Sequence, residues 1–158
     1  MGGGSTLTSE ITGRYVEDFT LNDQDDEEFR LSDFIGRKVL LSFHPLAWTA
    51  VCSRQMVALD EEMPTFDTLN TTPVGISVDS VPCKKAWAKS LDLKRLPLLS
   101  DFWPHGEVAR KFNVFRDEQG FSDRANIIID EDGKVAFFKV YQPKEQPDIN
   151  EIIDFLRG

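Results

Sequence analysis

Apolar positions along the chain fall into short runs separated by stretches with helical spacing. Val39 to Phe43 is apolar, β-branched and aromatic, which predicts a buried strand. Pro45 stops it and a loop follows through Thr49. Met56, Leu59 and Met63 then recur at helical spacing, predicting a helix from near Val51 that kinks or ends around Pro64. Val74 to Val78 is a second buried strand. Asp79 or Ser80 can cap the next helix, with Pro82 in its first turn and Ala86, Trp87, Ser90 and Leu91 along it. Pro97 to Asp101 reads as a short strand running into a turn, and Val108 and Phe112 predict a helix over roughly 104–113. Ile127 to Ile129 and Val135 to Phe138 flank Glu131-Asp132-Gly133, a hairpin signal. Asn150 to Leu156 closes the pattern as a helix with Ile152, Ile153 and Leu156 on its apolar face. Towards the N-terminus, Val16 to Leu21 predicts a short strand, and Asn22 to Glu28 an acidic, solvated turn.

The early alternation of strand and helix implies parallel pairing, and the hairpin adds an antiparallel partner. The expected class is α/β: a thioredoxin-like three-layer sandwich with a mixed central sheet and helices on both faces. Residues 1–12 read as a flexible leader and 13–158 as a single domain. Met1, Gly2 and Thr6 fit the loose N-myristoylation pattern, but that pattern is short and common, and a plain leader explains it as well.

Composition narrows the function classes. With 41% hydrophobic and 28% charged residues the chain can bury a core. A net charge of −9 disfavours nucleic acid and anionic membrane as partners. No apolar run is long enough to span a membrane, and the first residues lack the basic and apolar regions of a secretory signal. Two cysteines cannot staple a fold of this length, so a reducing, cytoplasmic location is expected. There is no Cys-x-x-Cys pair, and His44 and His105 stand far apart, so neither a metal nor another cofactor is expected. His44, directly before Pro45, is placed to line a pocket or touch a neighbouring subunit. Trp48 is the best candidate for a subunit contact.

The segment that carries chemistry runs from Phe43 to Cys52. Cys52 lies just past a buried strand, in the first turn of a helix. Unpaired backbone N–H groups and the helix dipole favour a thiolate there. The carboxyl edge of such a strand is also where clefts form in open sheets. Dithiol oxidoreductases of the thioredoxin type carry a cysteine where Thr49 stands, so this site cannot close their internal disulfide. A hydroxyl beside a thiolate can instead bond the sulfur or a bound oxygen substrate, which points to chemistry on a peroxide.

Pro45, Thr49 and Cys52, spaced as Pro-x-x-x-Thr-x-x-Cys after a strand, resemble the peroxiredoxin signature. Asp18-Phe19-Thr20-Leu21, Gly75-Ile76-Ser77-Val78-Asp79, Lys85-Ala86-Trp87-Ala88 and Pro97-Leu98-Leu99-Ser100-Asp101 match the family in order, over about residues 14–155. Arg124 sits where the family keeps its active-site arginine. Phe102-Trp103-Pro104-His105-Gly106 resembles the one-cysteine alkyl hydroperoxide reductase E group. Ala50 and Gln55 depart from the family's usual proline and glutamate, and the loss of the glutamate puts the usual salt bridge to the arginine in question.

The resemblance implies a thiol peroxidase. Cys52 attacks hydrogen peroxide or an organic hydroperoxide and becomes a sulfenic acid. Thr49, Arg124 and the Cys52 backbone N–H stabilise the departing oxygen, and Pro45 shields the pocket. A thiol reductant is implied: thioredoxin, a glutaredoxin-like protein or a small thiol. A homodimer or higher homo-oligomer is expected. Cys83 has two readings. It either resolves Cys52 in a disulfide, with thioredoxin as reductant, or takes no part. Relatives that resolve from this helix carry the cysteine about five residues later, at the place of Ala88, and five residues rotate a helix by roughly 500° onto another face. The non-resolving reading is therefore preferred. A disulfide carrier and a non-catalytic binding module on the same fold are the rival functions. The missing Cys-x-x-Cys argues against the first, and the Thr49, Cys52 and Arg124 set against the second.

Overall fold

A computed structural model describes residues 11–158. The chain opens with a hairpin of β1 (Thr20–Asn22) and β2 (Glu28–Arg30), followed by a 3-10 turn at Leu31–Phe34. Strand β3 (Lys38–Phe43) leads into α1 (Ala50–Glu61) and α2 (Met63–Thr68). Strand β4 (Thr71–Ser77) leads into α3 (Val81–Ser90), and β5 (Leu98–Ser100) into α4 (Glu107–Lys111). The small hairpin β6 (Phe115–Arg116) and β7 (Phe121–Ser122) precedes β8 (Arg124–Ile129), β9 (Val135–Tyr141) and α5 (Ile149–Arg157).

Seven strands form one sheet in the order β2-β1-β5-β4-β3-β8-β9. Strand β4 pairs parallel with both β3 and β5, while β8 runs antiparallel to β3 and to β9. This is the mixed sheet expected. The period of two in the central strands fills both faces. Val39, Leu41, Phe43, Ile127 and Ile129 point to one core, which Phe19, Phe29, Val108 and Phe112 complete. Leu40 and Ile128 point to the other, packed against Met56, Leu59, Phe66, Trp87, Ile152 and Ile153 from α1, α2, α3 and α5. Gly75 lets α1 lie close to the sheet, since a Cβ there would collide with the Met56 sulfur.

Several expectations shift in detail. The helix from near Val51 does end close to Pro64, at Glu61, and Pro64 falls in the first turn of the separate α2, where its missing N–H costs nothing. The strand expected over Val16 to Leu21 is shorter and displaced, and its acidic turn is the loop of an unforeseen hairpin with β2. The helix expected over 104–113 keeps only Glu107–Lys111. Met1, Gly2 and Thr6 lie outside the described residues. Ile11, placed in the expected leader, is buried in the first core. Among the described residues no helix is long and apolar enough to cross a membrane.

Candidate active site

Strands β3 and β4 end side by side, and the loop His44–Thr49 leaves the carboxyl edge of β3 to start α1. Its path is held from below by one carboxylate. Asp79, just past β4, accepts from the Ala47 backbone N–H at 2.8 Å and from the Ser77 hydroxyl at 2.5 Å. Trp48 takes φ of 72° at the tip of the loop, a strained conformation of a kind that clusters at functional sites. Thr49 is the N-cap of α1 in an extended conformation, but its hydroxyl donates to the Leu46 carbonyl at 2.9 Å rather than to the helix or to the sulfur. The oxygen of that hydroxyl keeps its acceptor capacity at the mouth of the site.

Cys52 is the third residue of α1 and is fully buried. Arg124, the first residue of β8, is 4% exposed and reaches across the β3–β8 pairing. Its Nη1 lies 3.2 Å from the Cys52 sulfur and 2.7 Å from Gln55 Oε1. Its Nε and Nη2 donate to the Pro143 carbonyl at 3.3 and 2.9 Å. The guanidinium is thus clamped on two sides with one edge on the sulfur, which suits it to hold a thiolate or a departing oxygen.

Gln55 replaces the expected salt bridge with a directional amide relay. Its Oε1 accepts from Arg124, and its Nε2 donates to Ser42 Oγ at 2.6 Å. The Ser42 hydroxyl donates to Asn126 Oδ1 at 2.8 Å, and Asn126 Nδ2 to the Tyr141 hydroxyl at 3.3 Å. Tyr141 donates to Glu151 at 2.7 Å, and Lys139 closes the chain on the same carboxylate at 2.6 Å. A glutamate at position 55 would offer Arg124 more charge but no donor for Ser42. Burial raises the Glu151 carboxyl, yet the Lys139 and Tyr141 bonds outweigh it and hold the group low. Burial, then the bond to Glu151, pushes the Tyr141 phenol up, so it stays a donor. Sequence reasoning missed Ser42, Asn126 and Tyr141. Their signal was a polar residue inside β3 and β8, whose other residues are almost all apolar and buried, and a buried tyrosine at the end of β9.

A cavity of about 580 Å³ opens beside the site, lined by Pro45, Thr49, Val51, Phe121, Arg124 and Pro143. Pro45, Thr49 and Arg124 therefore meet at one opening, with Cys52 directly behind it. Arg54, Arg116 and Lys144 stand around the rim.

Cys83 lies in the first turn of α3, partly exposed, with its N–H on the Ser80 N-cap hydroxyl at 3.4 Å. Its sulfur sits 3.8 Å from Asp79 Oδ1. Burial, then the Asp79 charge, raises this thiol, and the Trp48 indole offsets them only in part. Both cysteines are free. His44 corrects its expectation: it neither lines the cavity nor reaches the surface, but is fully buried against Lys84. His105 bonds the Gly120 carbonyl at 2.7 Å, away from the site. Among the described residues no group of three or more His, Cys, Asp or Glu is placed to hold a metal.

A model of the AhpC/TSA family matches residues 12–138. Alkyl hydroperoxide reductase E of Mycobacterium tuberculosis is 37% identical over 137 residues, which is 86% of this chain and 89% of that protein. The chloroplastic 2-Cys peroxiredoxin BAS1 of Arabidopsis thaliana is 35% identical over 79% of this chain, which spans 50% of its length. Among solved structures, the reduced 2-Cys peroxiredoxin of Plasmodium vivax superposes with a TM-score of 0.86 at 30% identity, covering 93% of this chain and 80% of that one. The peroxidoxin BcpB of Mycobacterium tuberculosis gives 0.81 at 30% identity, covering 93% and 96%.

Proposed function

The chain belongs to the AhpC/TSA family and is a thiol-dependent peroxidase, and from that premise we propose that Cys52 is its nucleophile, with hydrogen peroxide and organic hydroperoxides as substrates. The observation that carries the assignment is the 3.2 Å contact between Arg124 Nη1 and a sulfur in the first turn of α1.

The Cys52 thiolate attacks one peroxide oxygen. The S–O bond forms as the O–O bond breaks, and the departing alkoxide or hydroxide takes up a proton to leave as alcohol or water. Sulfur is oxidised to the sulfenic acid and the peroxide is reduced. Arg124, fixed by Gln55 and by the Pro143 carbonyl, faces the charge that moves from sulfur to oxygen. The Thr49 oxygen accepts from the protonated end of the peroxide, and Pro45 narrows the opening to water.

Recycling follows the one-cysteine route. One external thiol condenses with the sulfenic acid, releasing water, and a second thiol releases Cys52 and carries away the disulfide. Cys83 is a poor resolving nucleophile because its sulfur faces a carboxylate. The 55% exposed Trp48 at the tip of the active-site loop supports a homodimer with this loop in the contact. The two free thiols suit a reducing cytoplasm. Cys52→Ser tests the reading: it should retain the fold and lose peroxide turnover with any thiol reductant, whereas a variant that still turns over peroxide contradicts it.

A further inference from the structure

Two buried titratable groups have no part in the reaction just described. Lys84, in the first turn of α3, is fully buried, and so is His44. Lys84 Nζ lies 3.0 Å from His44 Nε2, while His44 Nδ1 lies 3.4 Å from the Ser42 carbonyl. A neutral imidazole with its proton on Nδ1 accounts for both contacts: it donates to Ser42 and accepts from the ammonium. Both groups pack on Trp87, the ammonium 5.6 Å from an indole whose centroid is 5.3 Å from the imidazole's.

Lysine is almost never fully buried unless paired. Among the described residues, no carboxylate forms an ion pair with Lys84. The charges that act on it belong to Asp79 after β4, Cys83 on α3, Cys52 on α1 and Asp101 after β5. All four favour its charged form. Burial opposes them and is the stronger, bringing Lys84 down to about 7. Burial first, then the neighbouring Lys84 and more distant Arg124, holds His44 neutral, well below the ordinary imidazole range. A fully buried lysine whose near polar partner is a neutral imidazole rather than a carboxylate is costly to the fold, which points to function rather than stability.

Trp87 shares a core cluster with Cys52, and its Nε1 donates to Ser53 Oγ at 3.2 Å beside that cysteine. We propose that Lys84, held by His44 and packed on Trp87, is a positioning residue for the peroxidase reaction, a second buried cation that supports the Cys52 thiolate. The proposal rests on the reading of Cys52 as nucleophile. The two cations differ in kind. Arg124 is a planar guanidinium, whereas Lys84 is an ammonium that burial brings down to about 7. The part of the Cys52 oxidation rate that Lys84 supplies is therefore lost as Lys84 discharges with rising pH. Stability runs the other way. Lys84 binds its proton near 10.5 in the unfolded chain and near 7 in the folded one, so the fold loses stability as pH falls between those values.

The test is stopped-flow oxidation of Cys52 by hydrogen peroxide at pH values on either side of 7, for wild type, Lys84→Met and His44→Phe, with modification of Cys52 followed by mass. The ratio of the wild-type to the Lys84→Met rate should show a fall towards one as pH rises through about 7. On the acid side Lys84→Met should be slower by on the order of 10-fold, less than the ~100-fold or more of a donor in direct contact. Lys84→Met should also be at least as stable to denaturant near pH 7, because it removes an unpaired buried charge. His44→Phe should move that fall to lower pH, since the ammonium loses its acceptor. A Lys84→Met enzyme with the wild-type rate and profile overturns the proposal, as does a Lys84→Met enzyme that is slow only because it is unstable. If Lys84→Met does not fold, Lys84→Gln carries the same measurement. A wild type that leaves Cys52 unoxidised overturns the nucleophile assignment itself, a separate outcome.

Discussion

Cys52 and Cys83 occupy matching places in the fold. Strands β3 and β4 are adjacent and parallel, and each cysteine lies in the first turn of the helix that follows its strand. Backbone and helix dipole treat the two sulfurs alike. Their side-chain neighbours do not. Cys52 is sealed behind a cavity with a clamped guanidinium at 3.2 Å, while Cys83 is partly open to solvent with the Asp79 carboxylate at 3.8 Å. A helix N-terminus therefore does not by itself make a reactive thiol here. The charge brought in from a distant strand decides, and Asp79 serves both ends of the contrast. It holds the Cys52 loop in place through Ala47 while discouraging ionisation at Cys83.

The contrast can be broken most severely at its active member. Cys52→Ser should leave less than about a tenth of wild-type peroxide turnover, because a hydroxyl without a general base is no substitute for a thiolate. Near-normal turnover in a clean reductant assay would move the chemistry to Cys83.

Removing the cation comes next. Arg124→Met should slow stopped-flow oxidation of Cys52 by on the order of 100-fold or more, the loss of a charge-assisted donor worth ~2–4 kcal/mol in the transition state. An unchanged rate would mean that the guanidinium does not act on the reacting atoms.

A smaller effect is expected at the other sulfur. Because burial and Asp79 raise the Cys83 thiol, its alkylation by iodoacetamide should become fast only at pH above the ordinary thiol range. Asp79→Asn retains an acceptor for Ala47 but removes the charge, so the alkylation curve should move to lower pH by a few tenths of a unit to about one unit. Quantitative peptide mapping reads the two cysteines separately, and a curve that stays in place would show that burial alone governs Cys83.

The smallest effect belongs to Cys83→Ser. Turnover driven by a small thiol should stay within about twofold of wild type, since the change is a conservative one at a site outside the reaction. Loss of thioredoxin-driven turnover in this variant alone would make Cys83 a working partner.

The central strands and the helix-start place of Cys52 were legible in the sequence because each carries a local signal, an apolar run or a helix start, whereas Arg124 came only with the family resemblance. Three things were not. The strands β1, β2, β6 and β7 have two or three residues each, too few for alternation to register. The Gln55–Ser42–Asn126–Tyr141 relay joins side chains from α1, β3, β8 and β9, and only the sheet order brings them together. Lys84 looked like one of two ordinary lysines on a helix, Lys84-Lys85, and nothing in its neighbours along the chain marks it as the buried one. Burial of a charge is a property of packing, and packing is where a reading of pattern and spacing stops.

The contrast between the two sulfurs is tested most directly by intact mass and peptide mapping of the wild-type protein after one equivalent of hydrogen peroxide, with a sulfenic acid trap present. The account predicts one trapped sulfenic acid on Cys52 and an unmodified, free Cys83. A Cys52–Cys83 disulfide as the first stable product, or a trap adduct on Cys83 with Cys52 untouched, would contradict it.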